Sequence, residues 1–249
     1  MNDIIEKARL TIDSLDTNNI NQGTINSLIV IRNELDKIRN NMKGSSMWKR
    51  KIKSNVEYFI YERLRDNPVD GLPEVLSLSN KEVRLKRYAQ ITDKQLKEKD
   101  NIVFILETIK KLAEINISHR AIHPKHFMYD TEKSIPILID FGKATFLGKK
   151  SNFYSRQPAY LSRNALMQNR STPLDDIESF GYTLLYLFDN KILHTFSAKD
   201  EYIKDHENIK INFLKQYFLL LHLEVECHDK YINIFSNISD ADVFILYDD

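Results

Sequence analysis

His119, His123 and His126 lie four and then three residues apart, and Asp140 follows fourteen residues later. Imidazoles suit zinc or nickel, so three of them with a carboxylate as fourth ligand allow a transition-metal reading. The competing reading gives His119 a structural role and leaves Asp140 as a hydrogen-bond acceptor in a polar pocket. Asp175 and Asp176 open an apolar run that continues to Phe188. Arg50, Lys51 and Lys53, and again Lys149 and Lys150, are basic clusters without interleaved aromatics. With a net charge of +1 they are expected to be solvated faces rather than nucleic-acid contacts. The single cysteine, Cys227, excludes an internal disulfide and is expected to be a partly buried small hydrophobe.

The elements that must carry these groups follow from hydrophobic periodicity. Ile4 to Leu15 is ambiguous, Ser27 to Ile31 suits a short strand, and Ile31 to Ile38 allows a helix. Val56, Phe59, Ile60 and Leu64 repeat at helical spacing over Asn55 to Leu64, and Asn67-Pro68 with Asp70-Gly71-Leu72-Pro73 stops that helix. Glu74 to Leu78 and Glu82 to Tyr88 alternate like strands. Ile102, Ile105, Leu106, Ile109 and Leu112 mark a buried helical face. A polar loop from Ser118 to Lys125 precedes a hairpin, Phe127-Met128 against Ile135 to Ile139, and Asp140-Phe141-Gly142 stands at its exit. Helices are expected at Asp175 to Phe188, at Phe213 to Leu223 and from Tyr231 to Phe235. Trp48 and Tyr58 are expected in the core, or else on a partner surface.

A chain of 249 residues with 42% apolar content can bury a large core, which excludes disordered and fibrous classes. The charged N-terminus lacks the core of a signal peptide, and the apolar runs fall short of the roughly 20 residues that cross a bilayer. A soluble protein within the cell, cytoplasmic or nuclear, is therefore expected.

His119-Arg120-Ala121-Ile122-His123-Pro124-Lys125-His126-Phe127, then a hairpin, then Asp140-Phe141-Gly142, resembles in register the protein-kinase catalytic loop H-R-D-x-x-x-x-N and its metal-binding triplet. Tyr160-Leu161-Ser162 and Asp175-Asp176-Ile177-Glu178-Ser179-Phe180-Gly181-Tyr182 look like the casein kinase 1 and vaccinia-related kinase group. Ile20 to Leu28, with Gly23 kept and Asn21 and Asn26 in place of glycines, resembles the glycine-rich loop. Lys43 stands at the family's spacing for the strand lysine, Glu57 at that of the helix glutamate, and Gly71-Leu72-Pro73 follows as in casein kinase 1. The resemblance covers roughly residues 15 to 240 and is strongest over 119 to 188. It implies an α+β, bilobal, protein-kinase-like fold: a small strand-rich N-lobe, 1–88, and a larger helical C-lobe, 89–249, forming one domain.

The same resemblance shows what has been lost. Ala121 replaces the aspartate that accepts the substrate hydroxyl's proton, a change that alone costs roughly 10²- to 10⁴-fold. His123 replaces a phosphate-neutralising lysine and His126 the asparagine that holds a second magnesium, for which an imidazole is a poor ligand. Ala159 replaces an arginine used for acidic or phosphorylated substrates. Asp140 is left as the one metal ligand, and Gly23, Lys43 and Glu57 remain as nucleotide-site candidates. His119, Arg120, Phe141, Gly142 and Asp176 take structural roles. A pseudokinase is expected, a non-catalytic regulator or scaffold whose partner is a protein, either an active kinase or its substrate. No cofactor, nucleic acid or membrane is expected. The alternatives are a residual phosphotransferase holding ATP with magnesium weakly, and a nucleotide-sensing switch. The lysine- and asparagine-rich composition and the vaccinia-related likeness point to a viral or parasite origin.

Overall fold

The computed structural model of the protein describes residues 47–150 and 157–238. The chain divides into two compact units, Met1–Trp48 and Lys49–Asp249, and the strands and helices from Lys49 onward lie in the second. Gly23, Lys43, Asn21, Asn26, the ambiguous stretch 4–15 and the strand and helix expected between residues 27 and 38 lie outside the described residues.

The order along the chain is α+β, strand-rich first and helical later. Strand β1 (Met47–Lys51) leads into helix α1 (Asn55–Asp66), which Ser54 caps by accepting the Glu57 amide. Strands β2 (Val75–Leu78) and β3 (Glu82–Lys86) form an antiparallel hairpin, and the three-stranded sheet runs β1-β3-β2. Val83 and Leu85 alternate inward from β3 as period-2 spacing requires. A short β4 (Ala89–Gln90) and helix α2 (Asp93–Lys97), closed by a Thr92–Gln95 capping box, lead to the buried helix α3 (Lys99–Glu114). Ile102, Ile105, Leu106, Ile109 and Leu112 of α3 are all buried.

After β5 (Ile117–Ser118), the hairpin of β6 (Phe127–Asp130) and β7 (Ile135–Leu138) pairs with β4, while β8 (Thr145–Phe146) pairs with β5. A short α4 (Arg163–Leu166) precedes α5 (Leu174–Asp189), which is buried on nearly every side and forms the centre of the helical part. Around it lie α6 (Phe196–Lys204), α7 (Asn212–His222) and α8 (His228–Ser236), their inward faces meeting through Tyr217, Phe218, Tyr231 and Phe235. Among the described residues no helix is long and apolar enough to cross a membrane.

Three expectations need correction, and one helix was not foreseen. The inward face of α1 is Glu57, Ile60, Tyr61 and Leu64, while Val56 and Phe59 are 43% and 50% exposed. The helix turns its acid inward because a cation, Arg50, waits for it there. Trp48 is 40% exposed and so is no core residue. Cys227 is exposed at the start of α8, a helix that buries Tyr231 and Phe235 instead. Helix α6 carries too little apolar periodicity to be seen in the sequence.

Candidate functional site

Asp176 fixes the loop that carries the histidines. From the first turn of α5 its carboxylate accepts the backbone amides of His119 at 2.6 Å and Arg120 at 2.7 Å. Burial pushes this carboxyl up to about 6, against the pull of those two amides. Arg120 adopts a left-handed backbone, φ 57°, and its buried guanidinium reaches the Asn169 carbonyl at 3.2 Å and Asp175 at 3.7 Å. Deeper along α5, the Thr183 hydroxyl donates to the Ile122 carbonyl. The loop therefore hangs from one helix by main-chain bonds, which a replaced side chain at 121 leaves intact.

His119 is fully buried, donates from Nε2 to the Ile139 carbonyl at 2.9 Å and meets the edge of Phe141 at 4.7 Å between centroids. Burial, helped by His126, drives its pKa down to about 3, so the ring is neutral. His123 and His126 lie against each other with centroids 3.7 Å apart and planes tilted by 39°. His123 accepts the Lys125 amide at Nδ1, and burial together with His126 lowers it to about 3. His126 lies 2.7 Å from the Ala121 carbonyl through Nδ1 and 3.4 Å from Asp140 Oδ2 through Nε2. Ala121 is buried under this pair and offers a carbonyl, with no side-chain acid.

Asp140 stands at φ 67°, left-handed, so that Oδ1 accepts the Gly142 amide at 3.3 Å. The same oxygen lies 2.6 Å from Nη1 of Arg50, whose Nε is 2.9 Å from Glu57 Oε1. Burial would raise the Asp140 carboxyl, but the His126 hydrogen bond and the Arg50 charge outweigh it and hold the group well below the usual carboxylate range. Arg50 corrects the reading of residues 50, 51 and 53 as one solvated face: Lys51 and Lys53 are exposed, but Arg50 is mostly covered. Glu57 takes its cation from β1, seven residues away; Lys43 lies outside the described residues. The sequence carries that signal in outline, as a basic residue in a strand directly before a capped helix. Counting the family spacing from Gly23 leads to Lys43 instead.

Nε2 of His119, Nδ1 of His123 and Nδ1 of His126 are already bound to the protein, and Nε2 of His126 is turned toward Asp140. Among the described residues no group of three or more His, Cys, Asp or Glu is arranged to hold a metal ion, and the transition-metal reading finds no support there. Nor do the residues around Asp140 fit magnesium, which wants several hard oxygens in an octahedron. Both Asp140 oxygens face a protein nitrogen.

Ala159 is buried, and its carbonyl has a partner that the sequence did not disclose. Lys199 of α6 is fully buried, donating from Nζ to the carbonyls of Ala159 at 2.6 Å and Leu161 at 2.8 Å, with the Tyr182 ring 3.4 Å beneath. Burial brings this amine down to about 7, with Glu178 opposing and Arg163 assisting. Arg163 itself bridges Glu178 and Asp200.

No protein-family model matches the chain, and no curated protein matches it. Among solved structures it is similar to that of the kinase PK-1 of the Cydia pomonella granulovirus, with a TM-score of 0.56 and 13% sequence identity over 76% of this chain and 86% of that one. At that identity the likeness bears on the fold: a protein-kinase-like α+β architecture with a small strand-rich N-terminal region and a helical C-terminal region.

Proposed function

We propose that this kinase-like protein acts by binding another protein, an active kinase or its substrate, and transfers no phosphate itself. The observation that carries this is the composition of the loop facing Asp140. Where a hydroxyl would need a base, the chain presents the methyl of Ala121 and two adjoining imidazoles, of which that of His123 is held neutral by burial. Phosphoryl transfer needs charge placed on the phosphate and a carboxylate on the nucleophile. Neither His123 nor His126 supplies the second, since His126 is spent on Ala121 and Asp140. What supports an intact scaffold for a partner is that Asp176 grips the loop by its amides and α5 is packed on nearly every side.

The test is transfer of labelled γ-phosphate from ATP to a generic acidic protein substrate by the pure polypeptide, with magnesium or manganese, against its Asp140→Ala variant. No difference between the two is expected at any enzyme concentration. Dose-dependent labelling that disappears in Asp140→Ala would end the proposal.

A further inference from the structure

The Arg50 guanidinium serves two carboxylates from different parts of the chain, Glu57 in α1 and Asp140 at the exit of the β6–β7 hairpin. A planar fork with several N–H donors can do this, Nε reaching one carboxylate and Nη1 the other. Glu57 is held in turn by the Lys53 amide, which reaches its second oxygen at 2.8 Å. The guanidinium also packs onto the turn: a Cβ at Gly142 would stand 2.2 Å from Arg50 Nη2. Behind it the fully buried Phe141 ring contacts Tyr61 of α1 on one side and His119 on the other. Charge and ring thus join α1 to the Asp140 turn.

A divalent ion entering here would have to displace Nη1 from Oδ1, break a charge-assisted bond and sit beside a fixed positive charge. The second oxygen offers no easier route, since His126 faces it. We infer that Arg50 is an internal counter-ion that bars divalent cations from the Asp140 carboxylate, so that this carboxylate can take one only when Arg50 is drawn away from it. The lock belongs to the same site as the non-catalytic function proposed above and rests on that reading for its role; metal binding without nucleotide separates the two.

The experiment is a Mn²⁺ titration, read by water-proton relaxation, of the full chain as wild type, Arg50→Met, Arg50→Lys and Arg50→Met with Asp140→Asn. In the methionine variant a saturable site at least ~10-fold tighter than any in the wild type is expected, because the competent state is no longer rare. Adding Asp140→Asn removes that gain. Arg50→Lys, which keeps the charge and covers the case of a methionine variant that does not fold, is expected to fall between wild type and Met. If neither Arg50 variant binds Mn²⁺ more tightly than the wild type, whether all bind or none does, the lock is wrong. Phosphoryl transfer by the wild type would sink the proposed function and leave the Mn²⁺ comparison standing.

Discussion

Lys199 places an ammonium where almost nothing but carbonyl dipoles and one aromatic face can solvate it. Its folded pKa, about 7, lies below the 10.5 of an ordinary lysine. Between those values the unfolded chain binds a proton that the native chain does not, so this group makes stability rise with pH from about 7 to about 10.5, at a slope approaching about 1.4 kcal/mol per pH unit. Below pH 7 both states are protonated and the slope vanishes. Subtracting the denaturation profile of Lys199→Met from that of the wild type should isolate that rise; parallel profiles from pH 7 to 10 would show that the amine stays charged. Asp176 is the opposite kind of group, a carboxylate whose worth lies in two amides. Asp176→Ala orphans both, and at about 1–3 kcal/mol for each buried donor a loss of about 2–6 kcal/mol is expected in urea unfolding. A loss under about 1 kcal/mol would mean that the loop finds other acceptors.

Helix α5 shows how closely the elements are fitted. A Cβ at Gly181 would stand 2.8 Å from the Tyr217 ring of α7, which is itself pinned by its hydroxyl to the Ile177 carbonyl. Gly181→Ala gains about 1 kcal/mol of helix propensity but overpacks a core contact at about 1–3 kcal/mol, so net destabilisation is expected. A raised melting temperature in that variant would show that α7 can step away. Elements with dense apolar runs, α3, α5 and α7, were legible in the sequence because burial alone dictates them. The α1 helix was legible as a helix but not in its facing. Glu57, Ile60, Tyr61 and Leu64 have the right spacing for an inward stripe, yet a hydrophobicity count favours Val56 and Phe59 over an acid. What turns Glu57 inward is Arg50, a partner on another element that no local periodicity reveals. Helix α6 was invisible for a related reason, since its most buried member is a lysine satisfied by distant carbonyls.

Within Lys49–Asp249 the architecture follows the order of loop, hairpin and triplet around residues 119–142, which the sequence displayed, while the state of the Asp140 pocket depended on Arg50, which it did not. A carboxylate occupied in this way should not sense nucleotide. Magnesium ATP at ~5 mM is expected to raise the melting temperature by less than ~1 °C, since a ligand weaker than that concentration contributes under ~0.4 kcal/mol. A shift of several degrees would favour the nucleotide-sensing alternative. The exposed thiol of Cys227 has a practical side as well. As the chain's lone sulfhydryl it offers one attachment point for a maleimide dye beside α8, so that docking of a second protein can be followed by anisotropy at nanomolar dilution without any engineered residue. The same sulfur will couple two molecules tail to tail in air, and a spurious dimer in a sizing column should vanish on adding dithiothreitol.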